Sequence, residues 1–192
     1  IVSMTANEYS NKTLKQNLID GLSKKEFILS KFITVVLFSL VSTLFVFGVS
    51  LVLGLIFSDY NEPGIIFSDI AYLFAYFVKL IGFFSFCLFL GILVKRSAFA
   101  LGFLLIWSIS EGIIYSIFKW KIFKDTDIAE SMIQFFPLTA MSNLIKEPFS
   151  RLGAVQTAAN QLGEAFDKDY SVQFLTVIIV MVWTFLFIFG SY

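Results

Sequence analysis

Four long apolar runs, residues 32–58, 70–94, 97–118 and 171–192, constrain this chain more than any other feature. The second contains one lysine and the third one glutamate; the others carry no charge. Each reaches or exceeds the roughly 20 residues that a helix rising 1.5 Å per residue needs to cross about 30 Å of hydrocarbon. Backbone groups in lipid must find their hydrogen bonds within the segment, so runs of this length are helices. Alternating barrel strands would show a period of two, and these runs show none. Charged residues are 15% of the chain, against roughly 25% in a soluble domain. The expected fold is an all-α integral membrane protein with at least four crossings.

The polar segments between the runs set the orientation. Lys12, Lys15, Lys24, Lys25 and Lys31 cluster before the first complete span, and Lys95–Arg96 form a two-residue hinge between the second and third. The loop at residues 59–64 has acidic residues and no basic one. The positive-inside rule puts the first segment and the Lys95–Arg96 hinge in the cytoplasm. The 59–64 loop and the segment near residues 121–170 then lie outside. That longer segment holds five basic and seven acidic residues, but long translocated regions obey the charge rule weakly. The Asn11–Lys12–Thr13 sequon faces the cytoplasm and is not expected to be glycosylated.

This reading divides the chain into seven parts. Residues 1–6 read as the end of a preceding span, which implies that at least one crossing lies upstream. Residues 7–22 form a short cytoplasmic helix, with Leu14, Leu18 and Leu22 on one face and Gly21 at its stop. Ser23-Lys-Lys-Glu26 is a capping-box pattern that opens the span at residues 23–58. Spans follow at 67–94 and 97–120. Residues 121–170 hold re-entrant or surface helices, interrupted by Pro137, with a helical pattern at Leu152, Val155, Ala159, Leu162 and Phe166. The last span is 171–192. The cytoplasmic helix suits either a position in the lipid headgroups or docking to a partner, and the outer segment either a loop on the membrane or a gate.

Two charges lie within the spans. Lys79 is 16 residues before Lys95 and Glu111 is 15 after Arg96, so both sit about 23 Å from the hinge along antiparallel neighbours. An isolated charge at such depth is costly, so the pair is expected to meet or to share a polar cavity. Such a pair fixes helix register or serves a substrate or gate.

Other chemistry is sparse. The net charge of zero points to no nucleic-acid partner. With no histidine there is no Ser–His dyad and no His-Glu-x-x-His zinc site, and no metal site is expected. No Walker A loop occurs. Cys87, the single cysteine, lies among apolar neighbours and reads as an inert thiol. Gly48 and Gly54, or Gly82 and Gly91, read as close-packing points between helices. No enzyme activity is read from these residues.

The segment at residues 7–31, with an acidic residue, Thr13-Leu14, a Gly21-Leu-Ser23 turn and a basic residue before the next span, resembles the segment after span two of ABC-2 type transporter permeases. The Lys95-Arg-Ser-Ala-Phe-Ala-Leu-Gly102 turn and Phe136-Pro-Leu-Thr-Ala-Met-Ser-Asn-Leu144 are similar to the same family's later connections. The resemblance covers essentially the whole chain, as spans three to six of six, without the first span and most of the second. It implies an ABC-2 (type V exporter-like) helical bundle in a bacterial inner (plasma) membrane. It implies a coupling helix at residues 8–19, with Glu8, Lys12, Thr13, Leu14, Asn17, Leu18 and Asp20 at the interface with an ABC ATP-binding subunit. It also implies an outer gate at Phe136, Pro137, Leu138 and Asn143, and a homodimer or paired permease among membrane lipids. ATP and Mg would sit on the partner ATPase, with no cofactor on this chain. The function implied is the permease half of an ATP-driven exporter. A membrane scaffold that docks a cytoplasmic partner without transport is the alternative. A secondary transporter using Lys79 and Glu111 is a third, and no inverted repeat supports it.

Overall fold

The computed structural model describes residues 1–10, 16, 19, 21, 23–57, 64, 67, 69–122, 128–146, 155, 157 and 170–192. The helices bounded within them are α1 (Val2–Ser10), α2 (Lys24–Phe57), α3 (Ile70–Val94), α4 (Ser97–Ile117), α5 (Ile128–Ile133), α6 (Pro137–Asn143) and α7 (Phe174–Ser191). A π-helical turn, Phe118–Ile122, prolongs α4. Four of these, counting α4 with its π turn, are long and apolar enough to cross a membrane. The chain is therefore a multi-span, all-α bundle.

α3 is the helix on which the others lean. Its fully buried Phe86, Leu88 and Leu90 anchor the core. α7 packs along it through Phe187, whose ring lies 4.8 Å from Phe86 and 5.7 Å from Phe89. α4 approaches through Trp107, 5.5 Å from Phe86 and edge-on. α2 touches α3 through an edge contact of Phe38 with Phe84 at 5.3 Å. Most large side chains of α2, among them Val41, Leu44, Phe45, Val52 and Phe57, remain exposed, as a lipid-facing surface requires.

The punctuation between helices follows from local chemistry. Gly21 has φ +101°, a conformation that a side chain disfavours. Two residues on, the Ser23 N–H donates to Glu26 Oε2 at 2.8 Å and the Glu26 N–H to Ser23 Oγ at 3.2 Å. These reciprocal bonds are those of a capping box. At the turn between α3 and α4, Lys95 closes α3 in the left-handed region, φ 58°, with its N–H on the Gly91 carbonyl at 3.1 Å. Arg96 is extended, and α4 starts at once, so α3 and α4 run antiparallel as neighbours.

α1 runs unbroken across the boundary read at residues 6 and 7. No glycine or proline interrupts it there, and a change from apolar to polar residues does not by itself end a helix. Val2, Thr5 and Ala6 are buried, and Thr5 packs on α3 where Gly91 leaves room. At the other end of α3, the Tyr72 hydroxyl donates to the Tyr170 carbonyl at 2.6 Å, tying α3 to the approach to α7. Trp120 stands exposed between Lys119 and Lys121 on the π turn, an aromatic and basic pairing suited to a membrane–water interface.

Candidate functional site

α4 places Glu111 14 residues beyond Ser97, about 21 Å along the helix from the Lys95–Arg96 turn. The side chain is only 4% exposed. Its partners come from two elements. One turn earlier on α4, Trp107 donates its indole N–H to Oε1 at 2.8 Å. The remaining donors belong to the first turn of α6: the Leu138 N–H to Oε1 at 3.1 Å, the Thr139 N–H to Oε2 at 2.9 Å and the Thr139 hydroxyl to Oε2 at 2.9 Å.

Glu111 thereby completes the N-terminus of a helix that cannot cap itself. The cap position is Phe136, extended and without a side-chain acceptor. Its own N–H reaches the Ile133 carbonyl at 3.0 Å, and its carbonyl accepts the Ala140 N–H at 2.7 Å. Pro137, buried at the first helical position, has no N–H to satisfy. That leaves the N–H groups of Leu138 and Thr139, and both go to the carboxylate. A helix N-terminus carries about half a positive charge, so a carboxylate there gains charge-assisted bonds and a favourable dipole together.

The cap sits deep. A Cβ on Gly82, 12 residues into α3, would lie 3.2 Å from Met141 Cε of α6 and 2.8 Å from Val180 Cγ1 of α7. On the far side the Trp183 indole of α7 donates to the Phe135 carbonyl at 2.7 Å. α6 therefore packs between α3, α4 and α7, and the irregular backbone leading into it is met by side chains of α4 and α7. Non-helical backbone at membrane depth persists only where protein or water satisfies it.

The structure does not bring Lys79 and Glu111 together as an ion pair. The carboxylate is met by the α6 terminus and Trp107, four donors that leave it without need of a cation. Lys79 is half-buried on α3. Among the described residues the ion pair within 4.0 Å joins Lys31 to Glu8. Of the expected gate residues, Pro137 and Leu138 belong to the capped turn, Phe136 precedes it, and Asn143 ends α6 on an exposed face. Of the expected ATPase-facing residues, Glu8 is described; Lys12, Thr13, Leu14, Asn17, Leu18 and Asp20 lie outside the described residues. The surface helix expected near residues 152–166 is described only at Val155 and Thr157, both helical. Trp107 and Thr139 were not singled out from sequence. Trp107 is four residues before Glu111 and so shares its helix face, and a proline-led turn with no capping side chain of its own invites an outside acceptor.

The Lys31–Glu8 pair joins the base of α2 to α1, and Lys31 also lies 5.2 Å from the Phe27 ring. Both side chains are partly buried, so the pair is held more firmly than a free surface bridge. In a double-mutant cycle, Glu8→Gln and Lys31→Met are expected to show a coupling of about 1 kcal/mol, read from denaturant unfolding. The charge-swapped double variant should recover part of it.

An all-α polytopic membrane protein with a buried short helix capped by a carboxylate from one of its spans is the class these features define. The chain belongs to the DUF2705 family, described as proteins of unknown function, whose model matches residues 1–191. No curated protein and no solved structure matches it.

Proposed function

We propose that the chain is the transmembrane permease subunit of an ATP-driven ABC exporter in the plasma membrane, working by alternating access as a homodimer or with a second permease. The observation that carries this reading is the Glu8–Lys31 ion pair, which ties the segment ahead of Gly21 to the base of the first complete span. Residues 8–19 form the coupling helix in this reading, with Glu8, Lys12, Thr13, Leu14, Asn17, Leu18 and Asp20 toward a separate ATP-binding subunit that holds ATP and Mg. Closure of two such subunits displaces the coupling helices. The ion pair passes that displacement to α2, which leans on α3 and through it on α4, α6 and α7. On the outer side α6, held by Glu111, caps the path, with Phe136, Pro137 and Leu138 at its leading edge.

The test is purification of the tagged full-length protein from cells that express its natural partners. An ABC ATP-binding subunit is expected to be retained, and to be lost when residues 8–20 are replaced while the membrane part still assembles. Failure to retain any such subunit in mild detergent sinks the permease reading. Retention of a cytoplasmic protein that is not an ATPase would favour the docking scaffold.

A further inference from the structure

With Glu111 engaged by the α6 terminus, two large polar side chains inside a span remain unexplained among the described residues, both on α3. Tyr76 and Lys79 are both half-buried. They stand three residues apart, so they share one face of the helix with Cβ atoms about 5–6 Å apart. Among the described residues neither has a hydrogen-bond or ion-pair partner. Their neighbours on the same face are committed. One turn outward, Tyr72 donates to the Tyr170 carbonyl. One turn inward, Gly82 is filled by Val180 and Met141.

Direction and depth narrow what these two heads can meet. Side chains on a helix lean toward its N-terminus. The basic turn at Lys95 and Arg96 sets the C-terminal end of α3 in the cytoplasm, so Tyr76 and Lys79 lean toward the outer leaflet. Lys79 lies nine residues in from Ile70, about 13 Å along the helix. At 25 residues α3 is about 37 Å long, some 7 Å more than the hydrocarbon is thick, so Lys79 starts within reach of the headgroup boundary. Long lysine stems at such a depth run along apolar surface and carry the ammonium to that boundary. An ammonium there, with a phenolic hydroxyl one turn further out, offers one positive charge and a second donor to the same anion.

We propose that Tyr76 and Lys79 form a binding site for the phosphate ester of one anionic phospholipid in the outer half of the bilayer. The ammonium supplies the counter-charge, and the Tyr76 hydroxyl donates to another oxygen of the same phosphate. The site is independent of whether the chain transports anything, and it needs no ATPase.

The experiment uses the full chain in nanodiscs of phosphatidylcholine doped with phosphatidylglycerol, with retained lipids counted by native mass spectrometry. One phosphatidylglycerol is expected to remain on the wild-type chain, enriched about tenfold over its share of the bilayer, as one charge-assisted contact allows. Lys79→Gln should abolish the enrichment and Tyr76→Phe should lower it about threefold, while Lys79→Arg keeps most of it. Equal enrichment in wild type and Lys79→Gln overturns the proposal. If Lys79→Gln does not fold, unchanged enrichment in Tyr76→Phe overturns it instead. Displacement of the lipid by millimolar glycerol 3-phosphate would assign the site to a free phosphate ester, and would overturn the lipid-borne ligand.

Discussion

Replacing Glu111 with alanine is expected to destabilise the protein by about 3–5 kcal/mol, because three obligatory donors lose their acceptor at once. The N–H groups of Leu138 and Thr139 and the indole of Trp107 are fixed in place; the Thr139 hydroxyl alone can turn elsewhere. A buried donor left without a partner costs about 1–3 kcal/mol, and lipid offers no water to soften it. Glu111→Gln keeps one acceptor oxygen and points an amide N–H₂ at donors, so it should lose roughly half as much. Lys79→Met removes a cation that makes no ion pair with the carboxylate, and should leave the cap intact. The order Ala, Gln, then Lys79→Met is thus a signature of a helix cap, whereas a working Lys79–Glu111 ion pair would make the lysine and glutamate variants similar. Denaturant unfolding in mild detergent gives the order. A cysteine at Met141, 2% exposed, gives the location. It should resist maleimide in the otherwise unchanged protein and react in the Glu111→Ala background. A Glu111→Ala protein within 1 kcal/mol of wild type, with position 141 still protected, would rule out the cap.

The spans were legible in the sequence because one length, the thickness of a bilayer, decides them. The runs at 70–94 and 97–118 became Ile70–Val94 and Ser97–Ile117, and the tight turn at Lys95 and Arg96 follows from the two polar residues between them. The Ser23 and Glu26 pattern was equally readable, since a capping box involves only neighbours in sequence. The partner of Glu111 was not. Spacing along two helices yields an expected depth, but it carries no information on azimuth or on a third element arriving between them. The donors came from 27 and 28 residues downstream, on a helix of seven residues too short to announce itself by periodicity. The glycines make the same point. Gly48 and Gly54 look as suited to close packing as Gly82 and Gly91, yet the α2 pair faces open space and the α3 pair sits against α7, α6 and α1. Exposure of one helix face to lipid or to protein is a tertiary property that composition alone does not encode.

Gly82 is where that tertiary property is expected to be most sensitive after Glu111. A Cβ there would lie 2.8 Å from Val180 Cγ1, 3.2 Å from Met141 Cε and 3.3 Å from Thr184 Oγ1. Met141 is unbranched and can give way. Val180 cannot, because a β-branched side chain in a helix has one strongly preferred rotamer. Nor can the two helices part locally, since the Phe86–Phe187 and Phe89–Phe187 contacts hold them one and two turns further along α3. Gly82→Ala should therefore destabilise by about 1–2 kcal/mol, even though alanine gains about 1 kcal/mol over glycine in helix propensity. Gly82→Leu, which also pushes into α6, should exceed 3 kcal/mol and loosen the seat of Met141. Gly48→Ala is the matched control, and in open space it should be neutral or stabilising. The decisive variant is the double one. Val180→Ala removes the atom that a new Cβ would strike, so Gly82→Ala should be milder in that background than in wild type, with a coupling of about 1 kcal/mol or more. If the two losses simply add, or if Gly82→Ala alone is as stable as wild type, the α3–α7 seam is not close-packed at this glycine.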